Sequence, residues 1–338
     1  MSEVNLKSLA KELGLSVSTV SRALRDAYDI SAETRQRVQA LAAERNYVAN
    51  PYASSLRKNQ SKTIGVIIPN VVNNFFSLAI NGIESVAQQK NYHVLIYLTH
   101  EDYEKEKQIL NHLQSGRVDG ILLSMASETK DQTHIKEFQK NGLPLVFFDR
   151  ASKEIEASKV STDDFESAFE ATEHLIQNGC KRIAHLCISK SLSIIKDRLR
   201  GYSAALEKNG IPFDDTIIKE CEDDDQLSYQ QIATLFSDKD RPDGIFASVE
   251  KLAIIAYQVC IDLGLCIPEE VKIISFSNLS TASLLNPALT TVMQPAFEIG
   301  RTAATLLFKQ LEKKRVASAP ETVVIKSELI RRRSSSAS

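Results

Sequence analysis

The chain has 338 residues, 43% of them hydrophobic and 25% charged, enough for two or three water-soluble domains with real cores. That composition excludes disordered and fibrous classes, and no segment approaches the roughly 18 consecutive apolar residues of a membrane span. The net charge of −2 hides an asymmetry: residues 1–62 hold ten basic against six acidic side chains, a net +4, so the remainder carries −6, a cationic end able to attract phosphate on an acidic body.

In chain order, Leu6, Leu9, Ala10 and Leu13 recur at helical spacing, Gly14 interrupts, and Val17, Val20, Ala23 and Leu24 begin a second apolar period after Ser16. This predicts two short helices joined at Gly14, which can take the positive φ of a sharp turn, with Ser16 as N-cap of the second. Ser18, Ser21, Arg22 and Arg25 fall on that helix's outward side, all hydrogen-bond donors and none acidic. A helix of this size fits a DNA major groove, where such side chains reach base edges and phosphates. Periodicity leaves Val17 open, because it also lies on the stripe of Val20 and Leu24. Ser31 then caps a third helix, Ala32 to about Asn46, with Val38, Leu41 and Ala42 inward and Arg35, Arg37 and Arg45 outward. The segment Asn50–Ser61 reads as a polar linker with one short helical turn begun by Pro51.

From Thr63 the pattern alternates. TIGVIIP, HVLIYL, GILLS and LVFFD read as buried strands, with helices Phe75–Gln89, Tyr103–Gln114 and Ile135–Asn141 between them. The alternation restarts with VST, RIAHLC, IIKE, GIFAS and KIISF, and with helices Phe165–Asn178, Ile195–Asn209 and Leu252–Leu263. Repeated strand, helix, strand predicts an α/β class with parallel sheets covered on both faces.

The run SVSTVSRAL resembles the recognition helix of the lactose/galactose repressor (LacI/GalR) family of bacterial transcription regulators. The likeness continues through ISAETRQRVQALAAERNY, NPYASSLRKNQSKTIGVIIPN, VSTDDFESA, DRLRGYSAAL and NPALTTVMQP, in the family's order over nearly the whole chain. It implies a helix-turn-helix headpiece over 1–48, a hinge helix and linker over 49–62, and over 63–338 a two-lobed, periplasmic-binding-protein-like core for effector binding and dimerisation. Lobe one is expected at about 63–161 and 292–320, with helix Ala296–Lys314, and lobe two at about 162–291 and 321–330, with the strand near Thr322–Leu329.

By the same resemblance, Ser16, Val17, Ser18, Thr19, Ser21 and Arg22 meet DNA, with Val17, Ser18 and Arg22 at the base-reading positions. The hinge adds Asn50, Ala53, Leu56 and Arg57, with Leu56 placed to wedge into the minor groove. The expected partners are double-stranded pseudo-palindromic operator DNA, a second copy of the chain as homodimer, and a small effector, sugar-like or an anionic sugar derivative.

Ligands of parallel α/β sheets bind at the carboxyl ends of strands, which places the effector between the lobes. The candidates are Asn74, Phe75, Phe76, Asp149, Arg150, Phe165, Arg198, Glu250 and Ser277. Two positions depart from the family's pattern: Val249-Glu250 stands for its Asn-Asp pair, and Ser277 for an aspartate after the next strand. That argues against an ordinary neutral hexose, and Arg150, Arg198 and Lys251 suggest a carboxylate or phosphate.

No enzyme is expected, with no catalytic residues, cofactor or metal, since GxSxG, Walker, HExxH and GxGxxG patterns are missing where those folds need them. A solute-binding protein on the same core is the other reading, though it leaves residues 1–62 without purpose. The polar N-terminus and five cysteines without CxxC or zinc spacing suggest a cytoplasmic protein with reduced, mostly core thiols. The C-terminal Ile330-Arg331-Arg332-Arg333 and SSSAS carry no leucine heptads and read as a disordered basic tail.

Overall fold

The computed structural model describes residues 5–24, 26–47, 60–221, 224–237, 240–312 and 319–336, in two compact units, 1–60 and 61–338. The expected linker helix, with Asn50, Ala53, Leu56 and Arg57, lies outside the described residues, as does Arg25.

The first unit holds three helices, α1 (Leu6–Leu13), α2 (Val17–Ala23) and α3 (Ala32–Glu44). Asn5 caps α1 by accepting from the Lys7 and Ser8 amides at 3.0 Å, and Gly14 ends it at φ 67°, a left-handed turn that a Cβ would strain. Ser16 caps α2 and Ser31 caps α3 through the Thr19 and Thr34 amides. Leu9, Ala10, Val20, Ala23, Val38 and Ala42 bury together, with Leu6, Leu13, Leu24 and Leu41 against them. Arg35, expected outward, turns in instead: its Nη2 donates to the Ala27 and Ile30 carbonyls and braces the turn between α2 and α3.

The second unit contains two six-stranded sheets. One is ordered β11-β5-β4-β3-β1-β2, from β1 (Thr63–Ile68), β2 (His93–Leu98), β3 (Gly120–Leu123), β4 (Leu145–Phe148), β5 (Ser158–Thr162) and β11 (Thr322–Ile325). The other is β12-β10-β9-β8-β6-β7, from β6 (Ile183–Cys187), β7 (Ile218–Glu220), β8 (Gly244–Ala247), β9 (Lys272–Phe276), β10 (Thr290–Met293) and β12 (Glu328–Ile330). Every pairing is parallel except β10 with β12. The first sheet is covered by α4 (Asn74–Gln89), α5 (Tyr103–Leu113), α6 (Thr133–Lys140) and, after the chain returns, α11 (Ala296–Glu312). The second carries α7 (Asp164–Gln177), α8 (Ser193–Lys208), α9 (Asp225–Thr234) and α10 (Glu250–Asp262). Helices α4 and α11 touch backbone to backbone: a Cβ on Gly300 would fall 2.0 Å from the Ala79 carbonyl oxygen, and one on Gly82 equally close to that of Phe297.

Four expectations are corrected. VST belongs to β5 in the first sheet, and the Thr322–Leu329 segment is divided, Thr322–Ile325 joining β5 and Glu328–Ile330 joining β10. The chain therefore passes between lobes after β5, after β10 and between β11 and β12. HVLIYL is an edge strand with Leu95 and Ile96 exposed, because apolar content alone does not say on which side a sheet ends. Helix α9 is additional, since its polar sequence gave no apolar stripe.

The C-terminal segment is also ordered against the second lobe. The Ser334 hydroxyl donates to the Ile273 carbonyl and accepts from the Thr290 amide, Ser335 meets Thr290 and His174, and Arg332 reaches the Leu289 carbonyl. Four cysteines are buried and Cys266 is exposed.

Candidate functional site

In the first unit, α2 turns Val20 and Ala23 into the core and leaves the opposite side to solvent. Val17 is 44% exposed, so its place on the apolar stripe is resolved outward. The Ser16 hydroxyl accepts from the Thr19 amide and lies 2.7 Å from the Ser18 hydroxyl and 2.8 Å from that of Thr19. This hydroxyl cluster fixes the first turn. Arg22, one turn further along, is held by Asp29 at 2.5 Å while both side chains stay solvent-accessible. Ser16, Val17, Ser18 and Arg22 thus form one small outward surface, in which Arg22 is the guanidinium among the described residues. Tyr28, unremarked in the sequence, is 99% exposed in the following turn, and exposure was the signal that periodicity could not supply.

In the second unit, strand ends converge from both lobes. The β4 end supplies Asp149 and Arg150, the start of α4 supplies Asn73, Phe75 and Phe76, α8 supplies Arg198, the β8 end Ser248 to Glu250, and the β9 end Ser277 and Asn278. The space they leave is about 20 Å3, little more than one water needs.

Arg198 is the most constrained group. Its Nε donates to Asp164 Oδ1 at 2.7 Å, its Nη1 to the Ser248 carbonyl at 2.5 Å, and its guanidinium lies 3.7 Å from the Phe276 ring centroid. Its Nη2 is buried without a partner, a donor left for a guest, and the Asn278 Oδ1 is a buried acceptor in the same state. Behind it, His185 Nε2 meets the Ser248 hydroxyl at 2.9 Å. Burial, with Arg198 and Lys190 nearby, pushes that imidazole down to about 3, so it is neutral.

Arg150 Nη1 is shared by both Glu101 oxygens at 2.8 Å, and Asp149 lies 3.8 Å from its Nε. Burial pushes the Glu101 carboxyl up, but Arg150 and the Ser127 amide outweigh it and the net shift is downward. Asp149, fully buried and at φ 60°, goes the other way: desolvation lifts it to about 6 against the pull of Arg150 and Arg198. Asp164 is also raised by burial, with Arg198 opposing.

Not every expected residue joins this cavity. Phe75 and Phe76 line it but are also core, in edge-on contact with each other, and Phe76 with Phe148. Phe165 does not line it. It lies under the Arg200 guanidinium in a separate groove of about 600 Å3. Asn74 does not line the space either, but reaches across to Glu250, which also accepts from Ser277. Lys251, expected to favour an anion, pairs with Asp225. Ile194, Phe276, Asn278 and Gln294 also line the space: Ile194 and Asn278 lie in stretches that follow strands, where a ligand is expected, Gln294 lies in the NPALTTVMQP run, and Phe276 was not singled out. Among the described residues no cluster of His, Cys, Asp and Glu could hold a metal ion, and no helix is long and apolar enough to cross a membrane.

Two family profiles match the chain: bacterial regulatory proteins of the lacI family over residues 5–50, and a periplasmic binding protein-like domain over 172–335. Over 313 residues the chain is 32% identical to the HTH-type transcriptional repressor CytR of Escherichia coli K12, spanning 93% of this chain and 91% of that one. A LacI family transcriptional regulator from Enterococcus faecium, solved with bound ribose, shares 29% identity over 81% of this chain and 98% of its own, with a TM-score of 0.71. The lac repressor dimer bound to operator and an anti-inducer is 23% identical with a TM-score of 0.86 over 99% of each chain, a likeness of fold.

Proposed function

Because this chain belongs to the lacI family of bacterial regulatory proteins, we propose that it is a homodimeric transcriptional repressor that binds a pseudo-palindromic operator and is tuned by a small hydroxylated effector in the inter-lobe cleft. The observation that carries this reading is the outward surface of α2, where Ser16, Val17, Ser18 and Arg22 stand clear of a core built from the same helix. In a major groove, Arg22 is suited to guanine O6 and N7, Val17 to a thymine methyl, and Ser18 to base edges or phosphate, with Thr19 and Ser21 beside them. Two half-sites would take one α2 each. The hinge residues Asn50, Ala53, Leu56 and Arg57 complete the proposed interface on the strength of the family resemblance.

Support for a second copy comes from the likeness in fold to the lac repressor, which was solved as a dimer on operator.

The effector reading rests on the unpartnered Arg198 Nη2 and Asn278 Oδ1, a donor and an acceptor that a hydroxylated molecule satisfies together. Both cleft arginines already face carboxylates, so the charge balance favours a neutral sugar-like ligand over an anionic derivative. Such a ligand acts only through different affinities for lobe arrangements that favour or disfavour DNA. A non-enzymatic role is supported by the relatives, which are named as transcriptional regulators. Footprinting on genomic fragments tests the whole reading: a protected two-fold site, changed in occupancy by one of a panel of sugars and nucleosides, is expected, and protection without sequence preference overturns it.

A further inference from the structure

The space where Arg198, Asp149 and Ser277 meet holds only about 20 Å3, with roomier grooves of about 150 and 600 Å3 beside it, and one of the groups that line it is a carboxylate that bonds across the lobes. Glu250, the first residue of α10 in the second lobe, points across to the first turn of α4 in the first lobe. Its Oε1 accepts from Asn74 Nδ2 at 2.9 Å and from the Asn74 amide at 3.3 Å, while Oε2 accepts from the Ser277 hydroxyl at 2.8 Å. The second contact ties Glu250 to its own lobe, and the first ties the two lobes together. A carboxylate at the end of a cleft is a natural acceptor for a guest's hydroxyls. Here both of its oxygens are taken by the protein's own donors, and about 20 Å3 remains.

We propose that Glu250 is a built-in occupant of the cleft, a latch that closes the lobes without an effector and selects which molecules can open it. The inference rests on reading the cleft as the effector site. Entry of a sugar-sized molecule requires the Asn74 bond to break, so the effector competes with an intramolecular partner already in place. To win, it offers Glu250 donors of its own, hydroxyl or amine. A carboxylate or phosphate at that point adds repulsion, since Lys251, the adjacent cation, is engaged by Asp225. Glu250 is in this sense a specificity-determining residue. Other bonds also cross between the lobes, Ser191 to the Ser127 carbonyl, Ser193 to the Ala151 carbonyl and Lys153 to Asp197, but their side chains line the neighbouring grooves, whereas Glu250 itself lines this cavity.

Hydrogen exchange on the ligand-free full chain tests this without knowledge of the effector. Glu250→Ala should speed exchange about ten- to hundredfold in residues 73–79, on the opposite lobe, consistent with loss of a charge-assisted bond. Glu250→Gln, which still accepts from Asn74 and donates to Ser277, should stay near the wild-type rate. Faster exchange confined to residues 248–253 would mean only a helix end losing its first-turn acid, and would overturn the latch, as would unchanged exchange at 73–79 or a Gln variant as fast as the Ala variant. If Glu250→Ala unfolds the lobe, Asn74→Ala removes the shorter, side-chain bond instead and leaves only the 3.3 Å one from the amide, and exchange at 248–253 must rise. Footprinting is blind to this outcome, so a failed latch and a failed regulator are told apart.

Discussion

The three-helix unit and the cleft-bearing unit place their chemistry on opposite sides of their cores. The first buries six apolar residues and puts Ser16, Val17, Ser18 and Arg22 outside, where salt and solvent weaken any internal pairing and leave the side chains ready for a large charged partner. The second buries Asp149, Arg150, Asp164 and Arg198 between lobes, where each charge needs a partner whether or not a ligand is present. The difference teaches how to read substitutions. In the headpiece a polar change should alter binding and spare the fold, and in the cleft it should alter both.

The largest effect should follow from Arg198→Ala, which strands Asp164 at 6% exposure and frees the Ser248 carbonyl. Breaking a buried pair on one side costs about 3–5 kcal/mol, so denaturant unfolding of the core should show a lowered midpoint, and an unchanged midpoint would break the contrast. Its apolar counterpart is Leu9→Ala, 1% exposed in a core of few residues. A loss of about 2–5 kcal/mol there meets a unit too small to hold more than a few, so headpiece amide signals should collapse while the core's transition stays in place.

A third test uses pH. Folded Asp149 holds its proton up to about 6, against an ordinary 3.8, so its contribution to stability is complete below pH 3.8 and lost as pH rises through 6. Asp149→Asn should flatten that slope and raise stability at pH 8 by about 2–3 kcal/mol, with no gain at pH 4, read from denaturant midpoints across the range. The smallest effect on the protein itself should come from Arg22→Ala, whose Asp29 pair is solvent-accessible. Unfolding should barely move, while preference for the base it reads should fall by about 1–3 kcal/mol in a binding assay across operator variants.

The same division explains what could be read from the sequence. The headpiece was legible because its core repeats at helical spacing and its caps are local: Ser16 and Ser31 each act within three residues. Val17 was ambiguous because periodicity gives an angle around a helix, and only packing decides which edge of the stripe is covered. Arg198 was visible in the RLRGY run, but its partners were not, since Asp164 and Ser248 lie 34 and 50 residues away. Glu250 and Ser277 were marked as departures from a family pattern. That they bond to each other, and that Glu250 reaches Asn74 over 176 residues, is settled only by tertiary folding. The serine-rich C-terminus was misread for a related reason: polar composition suggested a loose tail, yet the Ser334 and Ser335 hydroxyls bond to Ile273 and Thr290 at the starts of the interior strands β9 and β10.

The central claim is that the outward face of α2 reads a particular duplex sequence. Selection from a random double-stranded DNA pool by the wild-type chain and by Arg22→Ala tests it most directly. The account predicts one enriched two-fold motif for the wild type and relaxed preference at a symmetric pair of positions for the variant. Identical motifs from both chains, or no motif from either, would contradict it.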